Sequence, residues 1–494
     1  MSQPADNRRP NVIFVLTDEE HTRALSCYEN ALGQSPTADR LAAEGALYEH
    51  AYCAYPVCFP SRAAYMTGRW PHVNGVRKNK LFLPERERHL PGVLKAEGYR
   101  TALCGKNDCF DKEALRNHFD LVWLTHHFGA CDLLPDWFPP GAEGAARYYQ
   151  ERLKPKVWSP LGHDVIPHPP EVCDAALITE MALRFVDDST AADNPFFLWL
   201  SYPGPHWPFT CPEAYADLFK PEDIELPPED SLEDKPARLR ANRRKLALDR
   251  DCQDALRRAI AIYLANCRYI DDQLGRVVER LGTLGIEGDT ILVFTSDHGD
   301  FLGEHGGMMH KSSVFYDCLS RVPMIWRCPG RIGPGQRRPE FFEGVDLMPT
   351  VLDFCGVEAP AGVQGVSHAG GLSGTAPYPD REACFCETGI EGEPPRPEDI
   401  DPAKVPAHPL DTSVTDWLSV ESQDAYFPGR GKMVRDRRWK LSCYASGEGE
   451  LYDMRDDPWE LTNLYDSPDH QSVVAELKDR LLRWMMDAED TLPQ

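Results

Sequence analysis

The sequence lacks the features of a membrane protein and of a nucleic-acid-binding protein. No apolar run approaches the ~20 residues that a membrane-spanning helix needs, and residues 1–10 contain no apolar stretch of the kind that a secretory signal has. Lysine and arginine number 53 against 78 aspartates and glutamates, a formal net charge of −25. Because this charge repels phosphate backbones and anionic lipids, we expect neither nucleic acid nor a membrane as partner. The lack of a visible secretory signal, together with cysteines expected to be reduced, favours a cytoplasmic location.

The paired cysteine motifs of structural zinc sites are also missing. The 16 cysteines are scattered along the chain, and neither Cys104-x4-Cys109 nor Cys384-x-Cys386 has a second half. We therefore expect reduced thiols rather than disulfides or a zinc ribbon. The sequence has no internal repeat that would indicate a solenoid or a propeller.

Apolar runs that end in acidic residues indicate the sheet of an α/β protein. Residues 12–16 (VIFVL) precede Thr17-Asp18-Glu19, and residues 291–295 (ILVFT) precede Ser296-Asp297-His298. A third run, residues 196–200 (FFLWL), leads into a turn. Continuous apolar runs are typical of parallel strands buried on both faces, and open α/β sheets bind ligands at the carboxyl ends of such strands. We predict an α/β fold with a large mixed, mostly parallel sheet between helices.

A smaller C-terminal unit follows a segment without periodicity. Residues 391–411 are rich in proline and acidic side chains, which is typical of a linker. Beyond it, residues 432–435 and 439–444 favour short strands, and residues 473–486 favour a helix. We predict a small antiparallel sheet with a terminal helix. The two predicted domains are residues 11–390 and 412–494.

The most informative motif is C-F-P-S-R at residues 58–62, followed by M-T-G-R at residues 66–69. Pro60 suits the first position of a helix, and Gly68 suits the left-handed position after its last residue. A helix from about Pro60 to Thr67 would therefore begin beside Cys58. The free N–H groups and the dipole at its start favour an anion.

This pattern resembles the signature of the type I sulfatases of the alkaline phosphatase superfamily, and the resemblance runs from Asn11 to Asp457-Pro458. In that family the motif cysteine is oxidised to formylglycine, the catalytic nucleophile. The resemblance implies hydrolysis of small anionic sulfate esters, with a formylglycine-generating enzyme as partner. A phosphonate monoester or phosphodiester hydrolase using the same site is one alternative, and a non-catalytic relative is another. A homo-oligomer also stays open.

The resemblance implies a metal site made of Asp18, Glu19, Asp297 and His298 together with residue 58. Oxygen ligands from two strand ends suit a hard divalent cation. Calcium is the expected ion, because it is usual in the family. The imidazole of His298 replaces an amide found in many relatives, and it suits manganese or zinc better than calcium. Manganese is therefore an alternative ion, and magnesium is another. Glu19 also departs from the commoner aspartate.

The same resemblance places Arg62, Lys106, His206 and Lys311 on the substrate anion, with His206 or Lys311 protonating the departing alcohol. The segment before Lys311 is one residue longer than the family pattern, which makes His310 a rival for the position of this lysine.

Asp108 stands where the family motif Gly-Lys-x-His has its histidine. Since that histidine is a candidate for the base that expels sulfate, we expect either that Asp108 takes this role or that the step is slower. The sequence does not identify the alcohol part of the substrate. We expect the loops at residues 130–170 and 391–411 to select it.

Overall fold

The structure is a computed structural model that describes residues 9–28, 33–125, 138–148, 159–249, 251–412 and 428–489. Its largest element is a sheet of eight strands, with a four-stranded and a two-stranded sheet beside it. The strands in chain order are β1 (Asn11–Asp18), β2 (Ala46–Tyr52), β3 (Arg100–Gly105), β4 (Leu121–Leu124), β5 (His163–Ile166), β6 (Phe196–Pro205), β7 (Phe209–Pro212), β8 (Thr290–Ser296), β9 (Met324–Arg327), β10 (Gln336–Glu343), β11 (Cys384–Thr388), β12 (Gly431–Arg435), β13 (Trp439–Tyr444) and β14 (Gly449–Asp453).

The helices, apart from short 3-10 turns, surround these sheets. They are α1 (Pro36–Glu44), α2 (Cys58–Thr67), α3 (Pro71–Asn74), α4 (Leu90–Ala96), α5 (Lys112–His118), α6 (Ala142–Tyr148), α7 (Asp174–Ala191), α8 (Ala237–Lys245), α9 (Gln253–Leu284), α10 (Asp317–Ser320), α11 (Leu347–Phe354), α12 (Ala369–Ser373) and α13 (Gln471–Ala488). No helix within the described ranges is long and apolar enough to cross a membrane.

The large sheet confirms the predicted mixed, mostly parallel arrangement. Its strand order is β10-β2-β9-β8-β1-β6-β3-β4, in which β9 runs antiparallel to both neighbours and the other pairs are parallel. Along β1 the side chains of Val12, Phe14 and Leu16 pack into one hydrophobic cluster, and Ile13 and Val15 pack into another. Both faces of the strand are thus buried, which is why its sequence shows no polar alternation.

The C-terminal sheet is antiparallel, as predicted, with the order β11-β12-β13-β14. Its first strand, β11, lies within the range predicted for the first domain, so this sheet takes a strand from before the linker. The domain boundaries themselves stay a prediction. Of the loop predicted to select the alcohol, residues 130–137 and 149–158 lie outside the described residues.

Candidate active site

Cys58 is the first residue of α2, so the helix begins two residues earlier than predicted. Val57 before it is extended, and Gly68 after it adopts the expected left-handed conformation, with φ 63°. The Gly68 N–H donates to the Ala64 carbonyl, which closes the last turn. Every residue of α2 is buried, and Cys58 is only 2% exposed. The thiol therefore lies at a helix N-terminus inside the protein, where an anion is favoured.

Two neighbouring strands deliver acidic residues to this thiol. β1 and β8 pair in parallel, so Asp18 at the end of β1 and Asp297 just after β8 lie side by side. Cys58 Sγ lies 3.7 Å from Asp18 Oδ1 and 3.3 Å from His298 Nε2. One ligand atom from each of Asp18, Cys58, Asp297 and His298 falls within 4.8 Å of the others. The four side chains can therefore surround one cation.

The ring of His298 is held in the tautomer that a metal ligand requires. Its Nδ1 lies 2.8 Å from the Gly299 carbonyl oxygen, which can only accept a hydrogen bond. The proton of the neutral ring is therefore on Nδ1, and the lone pair of Nε2 faces Cys58. Burial lowers the pKa of His298 from its ordinary value, which keeps the ring neutral. Hydrogen bonding of the other nitrogen commonly fixes a metal-binding histidine in this way.

Arg62 holds the two carboxylates rather than facing the thiol. Its Nε lies 2.8 Å from Asp297 Oδ2, and one terminal nitrogen lies 3.0 Å from Asp18 Oδ2. The other terminal nitrogen donates to Ser201 Oγ at 2.8 Å and to the Lys106 carbonyl at 3.2 Å. Arg62, Asp18 and Asp297 are all 0% exposed. The guanidinium thus orients both carboxylates from behind the cluster of possible metal ligands.

Lys106 binds Asp18, and Asp108 in turn binds Lys106. Lys106 follows β3 after Gly105, where a Cβ would come within 1.8 Å of the Ser201 carbonyl oxygen, so only glycine fits. The ammonium of Lys106 binds Asp18 Oδ2, and Asp108 Oδ2 lies 3.0 Å from the same nitrogen. Burial would lower the pKa of Lys106, but the carboxylates of Asp108 and Asp18 raise it above its ordinary value. The lysine is therefore a cation shared between two carboxylates.

Lys311, and not His310, occupies the position beside the thiol. Lys311 Nζ lies 3.2 Å from Cys58 Sγ and 3.1 Å from His206 Nε2. The Nδ1 of His206 binds the Trp207 carbonyl, so the neutral ring has its lone pair on Nε2, towards the lysine. His310 instead donates from Nε2 to the Pro160 carbonyl at 2.6 Å. The two expected proton donors therefore lie in contact with each other and next to residue 58.

Glu19 is not among the four grouped ligands, and its carboxylate binds Lys311 beside them. Its φ of 63° is rare for a residue with a side chain, and it redirects the chain directly after Asp18. One carboxylate oxygen lies 2.5 Å from Lys311 Nζ, and the other accepts the Trp207 N–H at 3.3 Å. Burial would raise the pKa of Glu19, but His206 and Lys311 lower it below its ordinary value. Glu19 is therefore an ionised partner of Lys311 in this structure.

The electrostatics of the site keep Cys58 protonated. Burial and the Asp18 carboxylate raise the pKa of the thiol to about 12, despite the nearby lysines. Since the thiolate is the nucleophilic form of cysteine, an unmodified Cys58 would react slowly at neutral pH.

Two residues of the site were not assigned from the sequence. Ser201 at the end of the predicted third strand binds Arg62, as described above. Asp300, the last residue of the S-D-H-G-D run, accepts backbone N–H groups from Leu302 and His310. Its position in that run was the signal that could have identified it, whereas only the pairing of β6 with β1 reveals Ser201.

Two family models match this chain. The family model Sulfatase matches residues 10–357, and the model N-sulphoglucosamine sulphohydrolase, C-terminal, matches residues 422–487. The chain is 28% identical to the uncharacterized sulfatase YidJ of Escherichia coli, over 98% of this chain and 88% of that protein. It is 26% identical to the N-acetylglucosamine-6-O-sulfatase of Bacteroides thetaiotaomicron, over 99% of this chain and 89% of that protein.

Among solved structures, the phosphonate monoester hydrolase SpPMH from Silicibacter pomeroyi has a similar fold, with a TM-score of 0.77. The match covers 98% of this chain and 97% of that one, at 24% sequence identity. At this identity the likeness concerns the fold alone.

Proposed function

Since this chain belongs to the sulfatase family, we propose that it is a sulfuric ester hydrolase whose nucleophile is formylglycine made from Cys58. The observation that carries the proposal is the position of Cys58 Sγ. It lies at the start of a buried helix, 3.2 Å from Lys311 Nζ and 3.3 Å from His298 Nε2. The side chain at position 58 thus contacts both a cation and a possible metal ligand. The hydrated aldehyde of formylglycine would supply a hydroxyl oxygen there in place of a poorly reactive thiol.

The residues present fit one divalent cation. Asp18, Asp297 and His298 would hold it together with an oxygen of residue 58, and the fixed tautomer of His298 supports this assignment. When bound, such an ion supplies a positive charge that polarises the sulfuryl oxygens and lowers the pKa of a coordinated hydroxyl. Calcium is our first choice, with manganese or magnesium as alternatives. Glu19 stays a predicted ligand, and in this structure Lys311 binds its carboxylate.

The surrounding side chains have separate roles in this proposal. Arg62 fixes the two carboxylates, and Lys106 helps to hold Asp18. Lys311 and His206 can hold a proton within reach of the departing alcohol oxygen, a step that typically contributes about 10²- to 10⁴-fold to the rate. Asp108 is the proposed base for release of sulfate, in place of the family histidine. Its contact with Lys106 places its carboxylate 3.0 Å from an ammonium that also binds Asp18.

A phosphonate monoester or phosphodiester hydrolase is the second candidate. His298 favours it, because an Asp-His metal pair occurs among those hydrolases, and the pair here is Asp297-His298. Phosphonate monoesters present the same tetrahedral anion to the lysines. Under this alternative, manganese becomes the expected ion, since imidazole is a better ligand for it than for calcium.

The deciding experiment compares kcat/KM for an aryl sulfate and an aryl phosphonate monoester. The protein is made together with a formylglycine-generating enzyme, and Cys58→Ala is the inactive control. We expect the sulfate to be preferred, and preference for the phosphonate would establish the second candidate instead. Mass spectrometry of the peptide containing residue 58 tests the modification directly, because conversion replaces the thiol with a lighter aldehyde. If residue 58 stayed a thiol in active protein, the proposed nucleophile would be wrong.

A further inference from the structure

A second group of metal-binding side chains lies apart from the four around Cys58. A carboxylate oxygen of Glu304, a ring nitrogen of His305 and Sγ of Cys318 fall within 4.8 Å of one another, and all three residues are buried. Glu304 and His305 belong to a turn at residues 304–307, and Cys318 belongs to α10. Neither the sequence motifs nor the proposed reaction gives these three residues a role.

His305 presents a free ring nitrogen inside the protein. Its Nδ1 lies 3.1 Å from Asp230 Oδ2, whereas Nε2 is buried and has no hydrogen-bond partner within the described part of the chain. The residue is 1% exposed, and its ring stacks on Tyr316 with centroids 3.7 Å apart. Because the carboxylate accepts the Nδ1 proton, the lone pair of Nε2 is left for another ligand. A carboxylate behind a histidine is the usual support of a metal-binding imidazole.

His21 and Arg23 keep Glu304 in its carboxylate form. The N–H of Arg23 donates to His21 Nδ1, so the neutral His21 ring donates from Nε2 to Glu304 Oε1 at 3.2 Å. A terminal nitrogen of Arg23 lies 3.1 Å from the same oxygen. Burial would raise the pKa of Glu304, but the hydrogen bond from His21 and the charge of Arg23 lower it. A carboxylate has about four lone-pair sites, so these contacts leave acceptor capacity for an ion.

Cys318 and Glu304 both line a cavity of about 140 Å³. Cys318 is a free thiol and is 2% exposed. His305 does not line this cavity, whereas Arg23, Arg321 and Arg435 do. Since one water takes up about 30 Å³ of liquid volume, the cavity has room for a water ligand beside Glu304 and Cys318. His21, Arg23 and Glu304 also line a larger cavity of about 730 Å³, so Glu304 borders two cavities.

We propose that Glu304, His305 and Cys318 bind a zinc ion. One carboxylate, one imidazole and one thiolate, with a fourth position open to water, form a ligand set that zinc accepts and that calcium or magnesium does not favour. On binding, Cys318 loses its thiol proton to solvent as the zinc–sulfur bond forms. The charges of Glu304 and the Cys318 thiolate then cancel the two positive charges of the ion.

A zinc ion at this position would tie the turn to α10. Backbone hydrogen bonds join Phe301 to His310 at 3.0 Å and Gly303 to Met308 at 2.8 Å, so the turn is the tip of a closed loop that leads directly into Lys311. Because the ion would bind only the folded arrangement, it should stabilise this loop by mass action. We expect zinc to raise the unfolding temperature of the protein.

Cobalt titration tests the site in a protein whose catalytic thiol has been removed. The Cys58→Ala variant is freed of metal and titrated with Co²⁺, which gives a thiolate-to-cobalt absorption band in the near ultraviolet when a cysteine is a ligand. We expect this band to appear, to be displaced by Zn²⁺, and to vanish in Cys58→Ala/Cys318→Ser. The matched control is Cys58→Ala/Cys328→Ser, since Cys328 is also a buried free cysteine and should leave the band unchanged.

Two results would overturn the proposal: no thiolate band in the Cys58→Ala variant, or a band that survives Cys318→Ser in folded protein. Circular dichroism establishes that each variant folds. Asp230→Asn provides a second test, because loss of the carboxylate behind a histidine typically weakens metal binding by about 10- to 100-fold. His305→Ala tests the imidazole itself, and unchanged zinc affinity in this variant would show that His305 is not a ligand. The proposed sulfatase activity shares no residue with this site, so either proposal can fail alone.

Discussion

Replacing Arg62 with alanine should destabilise the metal-free protein more than most single substitutions do. The guanidinium contacts Asp297 Oδ2 at 2.8 Å and Asp18 Oδ2 at 3.0 Å, and all three side chains are 0% exposed. Truncation leaves two adjacent carboxylates in the interior, and Lys106 stays bound to Asp18. Ser201 also loses the nitrogen 2.8 Å from its hydroxyl oxygen.

The expected magnitude follows from the cost of breaking a buried ion pair by removing one partner, about 3–5 kcal/mol of the free energy of unfolding. Two pairs are broken here, but Lys106 still compensates one of the carboxylates, so we expect a loss within this range and not twice as large. A divalent cation should restore part of the loss, because it neutralises the same two carboxylates. Arg62→Lys should lie between, since an ammonium cannot span both carboxylates as the planar guanidinium does.

The measurement is urea denaturation followed by circular dichroism, with and without a chelator. All variants are made in the Cys58→Ala background, so that incomplete formylglycine formation cannot change the result. Arg40→Ala is the matched control, because Arg40 forms an exposed pair with Glu44 one helical turn away. Such pairs contribute only about 0.3–0.5 kcal/mol.

The reasoning would be refuted if Arg62→Ala cost no more than Arg40→Ala in metal-free protein. It would also fail if adding Asp297→Asn to Arg62→Ala gave no relief. A neutral amide at position 297 removes the uncompensated charge. The double variant should therefore lose less free energy of unfolding than the sum of the losses in the two single variants.

Three further predictions follow. Asp108→Asn should lower kcat by about 10²- to 10⁴-fold if Asp108 is the base, whereas a change in KM alone would mean that it only supports Lys106. His298→Asn should shift metal preference from manganese towards calcium, since an amide oxygen replaces a nitrogen ligand; isothermal titration with each ion would show this, and an unchanged ratio would contradict it. Burial raises the pKa of Asp271 from 3.8 to about 6, so the folded state retains this proton longer than the unfolded state. The free energy of unfolding should therefore decrease as the pH rises from about 4 to about 6. Urea denaturation across this range should show a smaller decrease for Asp271→Asn.

The sequence predicted the parts of the site that depend on local chain geometry. Gly68 ends α2 as predicted, whereas the helix begins at Cys58, two residues before Pro60. The apolar runs before Asp18 and Asp297 place both residues at carboxyl ends of strands. Parallel pairing of β1 with β8 then brings these ends together. Each of these inferences needed only the short-range preferences of the backbone and the rule that parallel strands end at one edge.

The remaining contacts depend on side-chain directions that the sequence does not encode locally. Glu19 follows Asp18 directly, yet its φ of 63° sends its carboxylate to Lys311. Arg62 was expected near the substrate, and its bonds to Asp18 and Asp297 appear only when α2 packs against the sheet edge. The group formed by Glu304, His305 and Cys318 has no spacing motif, because α10 approaches the turn through tertiary packing.

The charges of the site explain why a metal ion matters for binding as well as for reaction. At their formal charges, the cations Arg62, Lys106 and Lys311 are outnumbered by the carboxylates of Asp18, Glu19, Asp108 and Asp297. An anionic ester would therefore meet a site with one excess negative charge, on a protein whose net charge is already −25. A divalent cation reverses the local sign. Arg62, Lys106 and Lys311 are all bound to carboxylates, so the substrate anion depends on the ion for uncompensated positive charge. Removing the ion should therefore weaken substrate binding before any effect on the reaction step is considered.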